Sequence, residues 1–349
     1  MLTSRLIRVL VVDDSSFIRL VVSDILQQDS QIVVVDTATD GREAYEKTVA
    51  LQPDLVILDL VMKDYDGLYA IKKIMQDRPT PILILSSEGS VNPETVMEAL
   101  NAGAVSFINK PRGILQSKIR EIESLLIEKV KITAQVLPEK LRQKSQNQNN
   151  HPHTFESQIA YHVIVMGAST GGTGIIENIL LNLPRNLPIP ILIAQHIPES
   201  FVHSFARRLD DLVPLQVEVA QENEILQGGK VYIAPCHKNM MLKKNKETNR
   251  VRIAFSEEKY PQFNNPSIDC LMASTAQVFG DKAIGVLLTG MGRDGAQGLN
   301  GIWRAKGLTI AQDEKTSIVF GMPKVAIDEG SVRFVLPSHE IAPFLVNSL

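Results

Sequence analysis

The sequence predicts an α/β protein of two domains in tandem, each a parallel sheet covered by helices. Three features predict it. Short apolar runs alternate with amphipathic segments along most of the chain, which is the pattern of βαβ units. The length of 349 residues exceeds what one ordinary hydrophobic core serves. A polar stretch from Gln143 to His153 interrupts the alternation. With so little apolar surface it cannot offset the entropy of ordering, and a loop of that length is rare inside a compact domain. The expected organisation is a first domain over residues 1–130, a linker over 131–160 and a larger domain over 161–349.

In the first domain the strands are expected at Val9–Val12, Ile32–Val35, Leu55–Leu58, Ile82–Leu85 and Val105–Ile108. Segments such as Phe17–Leu26 and Pro93–Leu100 place apolar residues at helical spacing between them. Beyond the linker, strands are expected at His162–Met166, Ile189–Ala194, Leu215–Val219, Lys230–Ala234, Val251–Phe255, Ala283–Leu288 and Leu308–Ala311. Helices are expected at Thr173–Leu181, Glu199–Leu209, Ser267–Phe279 and Ala296–Ala305, with a hairpin around Lys243 to Arg250.

Composition narrows the function classes. A net charge of −3 offers no basic footprint for nucleic acid. No apolar run approaches the roughly 18 to 20 residues of a membrane helix, and Met1 to Arg8 lacks the apolar core of a signal peptide. Two cysteines far apart in sequence suit a reducing compartment, so a cytoplasmic protein is expected. The histidines lack zinc-site spacing, and His203, His237 and His339 stand away from strand ends.

Chemistry-bearing residues gather where strands end. Asp13 and Asp14 follow the first strand, Asp59 the third, Ser86 and Ser87 end the fourth, and Lys110-Pro111 ends the fifth. Ligands of open parallel sheets bind at the carboxyl ends of the strands. Three carboxylates there require a hard cation, and Mg²⁺ fits. A hydroxyl and an ammonium beside them suit a phosphoryl group on Asp59.

In V-V-D-D-S, L-D-L-V-M-K-D-Y-D-G, L-S-S and K-P the first domain resembles the receiver domains of response regulators. The resemblance implies a flavodoxin-like, five-stranded fold with Asp59 as phosphoacceptor. It implies Mg²⁺ on Asp13, Asp14, Asp59 and the Val61 carbonyl, contacts from Ser86 and Lys110 to the phosphoryl group, and Phe107 as the switch aromatic. Lys63 stands where the family usually has proline.

The second domain opens with a strand running into G-A-S-T-G-G-T-G, Gly167 to Gly174. A dinucleotide turn would need glycine where Ser169 stands and an acid at the end of the next strand, which instead ends Ala194-Gln195-His196. A serine on a tight strand-to-helix turn is a nucleophile arrangement. Its alcohol needs a base, and His196 closes the neighbouring strand. Asp294, after another apolar strand, is placed to orient that imidazole. Backbone amides of the glycine-rich turn around Met291 can form an oxyanion hole.

This domain resembles the chemotaxis protein-glutamate methylesterases of the CheB family through G-A-S-T-G-G, Q-H-I-P, V-Y-I-A-P, P-S-I-D, L-T-G-M-G-R-D-G-A, A-Q-D-E and V-F-G-M-P. The resemblance implies a doubly wound α/β domain with Ser169 as nucleophile, His196 as base, Asp294 as its partner and the Met291 amide as oxyanion donor. Thr170 falls beside the nucleophile, with its side chain expected on the histidine. Asn264-Asn265 stand where the family commonly has His-Arg. No cofactor is implied for the esterase. The implied substrates are glutamate methyl esters and glutamines of methyl-accepting chemotaxis receptors, and the implied phosphodonor is the pathway's histidine kinase. The unphosphorylated receiver is expected to lie across the esterase cleft. The alternative is a phosphorylation-dependent binding module with an inactive esterase fold.

Overall fold

A computed structural model describes residues 5–87, 91–110, 122–141, 161–263 and 265–349. Pro111, Asn264 and the polar stretch from Gln143 to His153 lie outside the described residues. The chain divides into two compact units, Met1–Ser145 and Gln146–Leu349.

The first unit is built on five parallel strands in the order β2-β1-β3-β4-β5. They are β1 (Ile7–Val12), β2 (Ile32–Ala38), β3 (Leu55–Leu58), β4 (Ile82–Ser87) and β5 (Ser106–Lys110). Between them run α1 (Ser16–Gln27), α2 (Gly41–Leu51), α3 (Gly67–Asp77) and α4 (Pro93–Ala102). Each helix starts at a residue whose side chain accepts a free first-turn amide: Ser15 from Ile18, Asp40 from Arg42 and Glu43, Asp66 from Tyr69, and Asn92 from Glu94. β3 is buried throughout, and its side chains are all apolar, as a strand covered on both faces requires. β1 has β2 on one side and β3 on the other, so the order reverses there and opens a crevice at their carboxyl ends.

Helical structure continues past the expected boundary at residue 130, in α5 (Glu123–Thr133) and α6 (Pro138–Leu141). Leu126 and Val130 join the core formed by Val9, Leu83 and Ile108. Val136 is also buried, so the beginning of the expected linker is folded.

The second unit holds a seven-stranded parallel sheet in the order β14-β13-β12-β6-β7-β9-β8. β6 (Val163–Ala168) lies at its centre between β7 (Ile191–Gln195) and β12 (Ala283–Leu287). Outward on one side are β9 (Lys230–Ile233) and β8 (Gln216–Val219), and on the other β13 (Leu308–Gln312) and β14 (Phe334–Leu336). The expected hairpin is an antiparallel pair, β10 (Asn239–Lys244) and β11 (Val251–Ser256), longer than its sequence signal. Among the described residues of this unit the α-helices are α7 (Gly172–Leu181), α8 (Glu199–Leu212), α9 (Ile268–Phe279), α10 (Ala296–Arg304), α11 (Met322–Asp328) and α12 (Ser338–Ser348). The register sets Ala168 of β6 opposite Gln195 of β7, and Gly167 opposite Leu287 of β12. The residues just beyond these three strands therefore meet at one edge.

Candidate functional site

Ser169 leaves β6 in a turn held from several sides. Its amide donates to the Thr289 carbonyl at 3.0 Å, and its carbonyl accepts from Gly172 at 2.8 Å. The same carbonyl accepts the Gln195 side-chain amide at 2.9 Å. The Thr289 hydroxyl lies 3.0 Å from the Thr170 carbonyl and accepts the Val319 amide at 2.9 Å. Two glycines make this packing possible. Gly171 has φ +76°, a left-handed conformation that lets the chain enter α7 three residues after the serine. A Cβ on Gly290 would stand 2.7 Å from that of Ser169 and 2.4 Å from the Met322 sulfur.

His196 follows β7, its amide bound to the Ala168 carbonyl at 3.0 Å. Its Nε2 lies 2.8 Å from Asp294 Oδ2. One ring face is stacked on Phe263, with centroids 3.9 Å apart and planes at 23°. Asp294 is buried and accepts amides from the first turn of α9, Ile268 at 2.8 Å and Asp269 at 3.0 Å. These bonds suit an ionised carboxylate, which accepts without donating.

The structure thus brings Ser169, His196 and Asp294 to the ends of three adjacent strands, with Met291 one residue beyond Gly290. The described residues show no hydrogen bond between Ser169 Oγ and His196 and none from the Thr170 side chain to the imidazole. Thr170 contributes its carbonyl to Thr289 instead. Catalytic hydrogen bonds are often loose without substrate. Cys236 is no rival nucleophile, since burial pushes its thiol up to about 12. Burial, and secondarily the charge of Asp294, pushes Asp269 up to about 6, against amides that favour the ionised form.

In the first unit, buried Asp13 and Asp59 both pair with Lys110, at 2.5 Å for Asp13. Ser86 Oγ donates to Asp59 Oδ1 at 2.6 Å, and the Val61 amide donates to the same oxygen at 3.2 Å. Burial raises the Asp13 pKa, Lys110 opposes this, and the Asp59 charge adds to the rise. Phe107 is half-buried on β5, and Asp14 is exposed. Of the three carboxylates, Asp13 and Asp59 are buried and share the Lys110 ammonium, and Asp14 is exposed beside them. Among the described residues no three His, Cys, Asp or Glu side chains form a ready metal cage. The donors nevertheless fit Mg²⁺. Two buried carboxylates share one ammonium, leaving a negative charge uncompensated, and Mg²⁺ needs only one or two carboxylates because it keeps waters.

Sequence reasoning missed Gln195, Thr289, Phe263 and Asp269. Gln195 and Thr289 lie within the motifs that hold His196 and Asp294, whereas Asp269 closes P-S-I-D, remote from all three in sequence. Phe263 sits in an exposed polar stretch without periodicity.

Fold and sites together define a class: a response-regulator receiver joined to an α/β domain of hydrolytic type. Family models agree, with the response regulator receiver domain matching residues 9–120 and the CheB methylesterase matching residues 164–345. The chain is 38% identical over 347 residues to a Thermotoga maritima protein named protein-glutamate methylesterase/protein-glutamine glutaminase, covering 99% of each chain. A Pyrococcus abyssi protein of the same name is 38% identical over 357 residues, covering 100% of this chain and 95% of that one. The crystal structure of the Thermotoga maritima CheB methylesterase catalytic domain superposes with a TM-score of 0.53 at 36% identity, covering 55% of this chain and all of that one. The chain belongs to the CheB methylesterase family. No helix among the described residues is long and apolar enough to cross a membrane.

Proposed function

We propose that the chain hydrolyses γ-methyl esters of glutamate on methyl-accepting chemotaxis receptors and deamidates receptor glutamines, under control of phosphorylation at Asp59. The observation that carries this reading is the His196–Asp294 pair at 2.8 Å, at the sheet edge where Ser169 turns into α7.

Asp294 engages Nε2, which leaves Nδ1 as the nitrogen to take the serine proton. Ser169 Oγ attacks the ester carbonyl carbon while His196 accepts its proton. The resulting oxyanion is met by the Met291 amide, with the Thr170 amide beside the nucleophile. One such donor is worth about 3 to 4 kcal/mol. The intermediate collapses to an acyl-serine, and methanol leaves with the proton from His196. Water, deprotonated by the same imidazole, then releases the glutamate and restores Ser169. A glutamine follows the same course with ammonia leaving.

In the receiver, Asp59 takes the phosphoryl group from the histidine kinase of the pathway. Ser86 and Lys110 are within reach of its oxygens, and Phe107 is the aromatic that responds. Asp13, Asp14, Asp59 and the Val61 carbonyl would hold Mg²⁺. The ion would supply positive charge against the phosphoryl oxygens. The new charge on Asp59 then shifts the population toward a state with an accessible esterase site.

Methanol release from methylated receptor membranes tests the reading, measured with wild-type protein and Ser169→Ala, with and without a phosphodonor. Release by wild type and its loss in Ser169→Ala are expected. Wild-type turnover in Ser169→Ala would eliminate the mechanism.

A further inference from the structure

Asp269 takes no part in the catalytic steps, yet it is buried beside Asp294, the partner of the base. It is the second residue of α9, and Asp294 stands two residues ahead of α10. Asp294 accepts the Ile268 and Asp269 amides of the first turn of α9, and Ser267 Oγ lies 3.4 Å from its Oδ1. Asp269 Oδ1 in turn accepts the Gly298 amide, in the first turn of α10, at 2.7 Å. The Gly295 and Gln297 amides also act on it. Each carboxylate thus satisfies free amides of the helix that carries or follows the other. The two are 5% and 2% exposed.

This closed exchange fixes Asp294 at two points. Its side chain is tied to the start of α9, and its backbone is tied through Gly295 and the start of α10 to Asp269. The carboxylate that touches His196 Nε2 cannot move unless one tie yields. Burying two like charges side by side is costly. A neutral cap would satisfy amides at less expense, but it would draw them more weakly than an ionised acceptor.

We propose that Asp269 is a positioning residue for the esterase site, holding Asp294, and through it His196, in register with Ser169. This rests on the reading of Ser169, His196 and Asp294 as a catalytic triad. Asp269→Ala removes both acceptor oxygens and frees the start of α10, whereas Asp269→Asn keeps one oxygen for the Gly298 amide. The full-length protein is used, with methanol release from methylated receptor membranes giving kcat and KM, and thermal unfolding followed separately. A small displacement of a catalytic group costs up to about 100-fold in rate.

Asp269→Ala is expected to lower kcat by about 10- to 100-fold with KM within about twofold of wild type. Asp269→Asn is expected to fall in between, and it carries the test if the alanine variant does not fold. The deciding comparison is a double mutant. With Asp294→Asn already in place, the Asp269 substitution should cost less than about twofold more, because it acts through Asp294. Wild-type kcat in Asp269→Asn and Asp269→Ala would overturn the proposal. So would the same fold-loss in the Asp294→Asn background as in wild type. Wild-type activity of Asp294→Asn alone would instead remove the triad reading.

Discussion

The phenyl ring of Phe263 lies against the imidazole of His196, with ring centroids 3.9 Å apart. Phe263 is 43% exposed, whereas the His196 side chain is 8% exposed, so the ring covers the imidazole from solvent. In the proposed mechanism its π face also meets the imidazole where positive charge develops when the serine proton arrives. Aromatic pairs of this kind contribute about 0.5 to 1.5 kcal/mol beyond their buried area.

Phe263→Ala should therefore lower kcat for ester hydrolysis by about 2- to 10-fold, the rate equivalent of that energy. Phe263→Tyr or Phe263→Trp should restore most of it. Steady-state methanol release measures both, and an unchanged kcat in Phe263→Ala would mean that the stack is incidental.

Asp294 performs two tasks, so its variants should separate. It orients His196, and it caps α9 through the Ile268 and Asp269 amides. Asp294→Ala should lose most activity and also about 1 to 2 kcal/mol of stability, as expected for a removed helix cap. Asp294→Asn keeps an acceptor oxygen and should lose activity with less loss of stability. Ser169→Ala and His196→Ala should each abolish turnover while unfolding close to wild type. Denaturant titrations beside activity assays make the comparison. Equal stability of Asp294→Ala and Asp294→Asn would argue against the cap.

The close approach of Gly290 to Ser169 gives a separate prediction. A methyl group at Gly290 would press on the Ser169 Cβ and the Met322 sulfur together. The Met322 side chain can yield, but the Ser169 turn is held by Thr289 and Gln195. Gly290→Ala should thus lower kcat by about 10- to 100-fold in a protein that still folds. Wild-type turnover would show that the turn adjusts freely.

The strand-end residues were legible because a parallel sheet converts sequence position into spatial convergence. Ser169, His196 and Asp294 each follow an apolar run, and so do Asp13 and Asp59, which is enough to predict a shared edge. Asp269 and Phe263 follow no such rule. Asp269 lies inside a helix, where its role depends on how α9 meets α10, a relation between segments remote in sequence. The position of Lys110 between Asp13 and Asp59 was equally hidden, since sequence gives strand ends but not which side chain fills the space between them. β14, of three residues, is too short to carry a periodicity. α11 has seven residues and buries only Met322, Pro323 and Ala326, too few to mark a face, whereas α12 buries Ile341, Ala342, Leu345 and Val346 at helical spacing and was legible in principle.

The raised pKa of Asp269 makes a prediction about pH. Its folded-state value of about 6 lies above the ordinary 3.8, so the folded protein holds this proton more tightly than the unfolded chain. The associated stability is fully present below about pH 4 and is lost as pH rises through about 6, amounting to at most about 3 kcal/mol. Asp269→Asn should flatten the decline between pH 4 and 6 in denaturant titrations at fixed ionic strength. An identical slope in the variant would mean that Asp269 does not titrate in that window.

The last prediction concerns control by the receiver. Lys110 is shared between Asp13 and Asp59, and Ser86 already donates to Asp59. A phosphoryl group on Asp59 adds negative charge and acceptor oxygens that compete with Asp13 for the ammonium and recruit the Ser86 hydroxyl. The pairing around Lys110 must then change, and β4 and β5, which carry Ser86, Phe107 and Lys110, are the elements placed to respond. Acetyl phosphate with Mg²⁺ should raise methanol release by the full-length protein about 5- to 150-fold, the range of a coupling of about 1 to 3 kcal/mol. Chelating the Mg²⁺ should abolish the increase, and Asp59→Asn should show none. Lys110→Ala should weaken the response while leaving Ser169 chemistry intact, because Lys110 makes no part of the esterase site. Equal stimulation of wild type and Asp59→Asn would place control somewhere other than this aspartate. No stimulation of a wild-type protein shown by intact mass to carry phosphate would mean that the receiver does not govern the esterase.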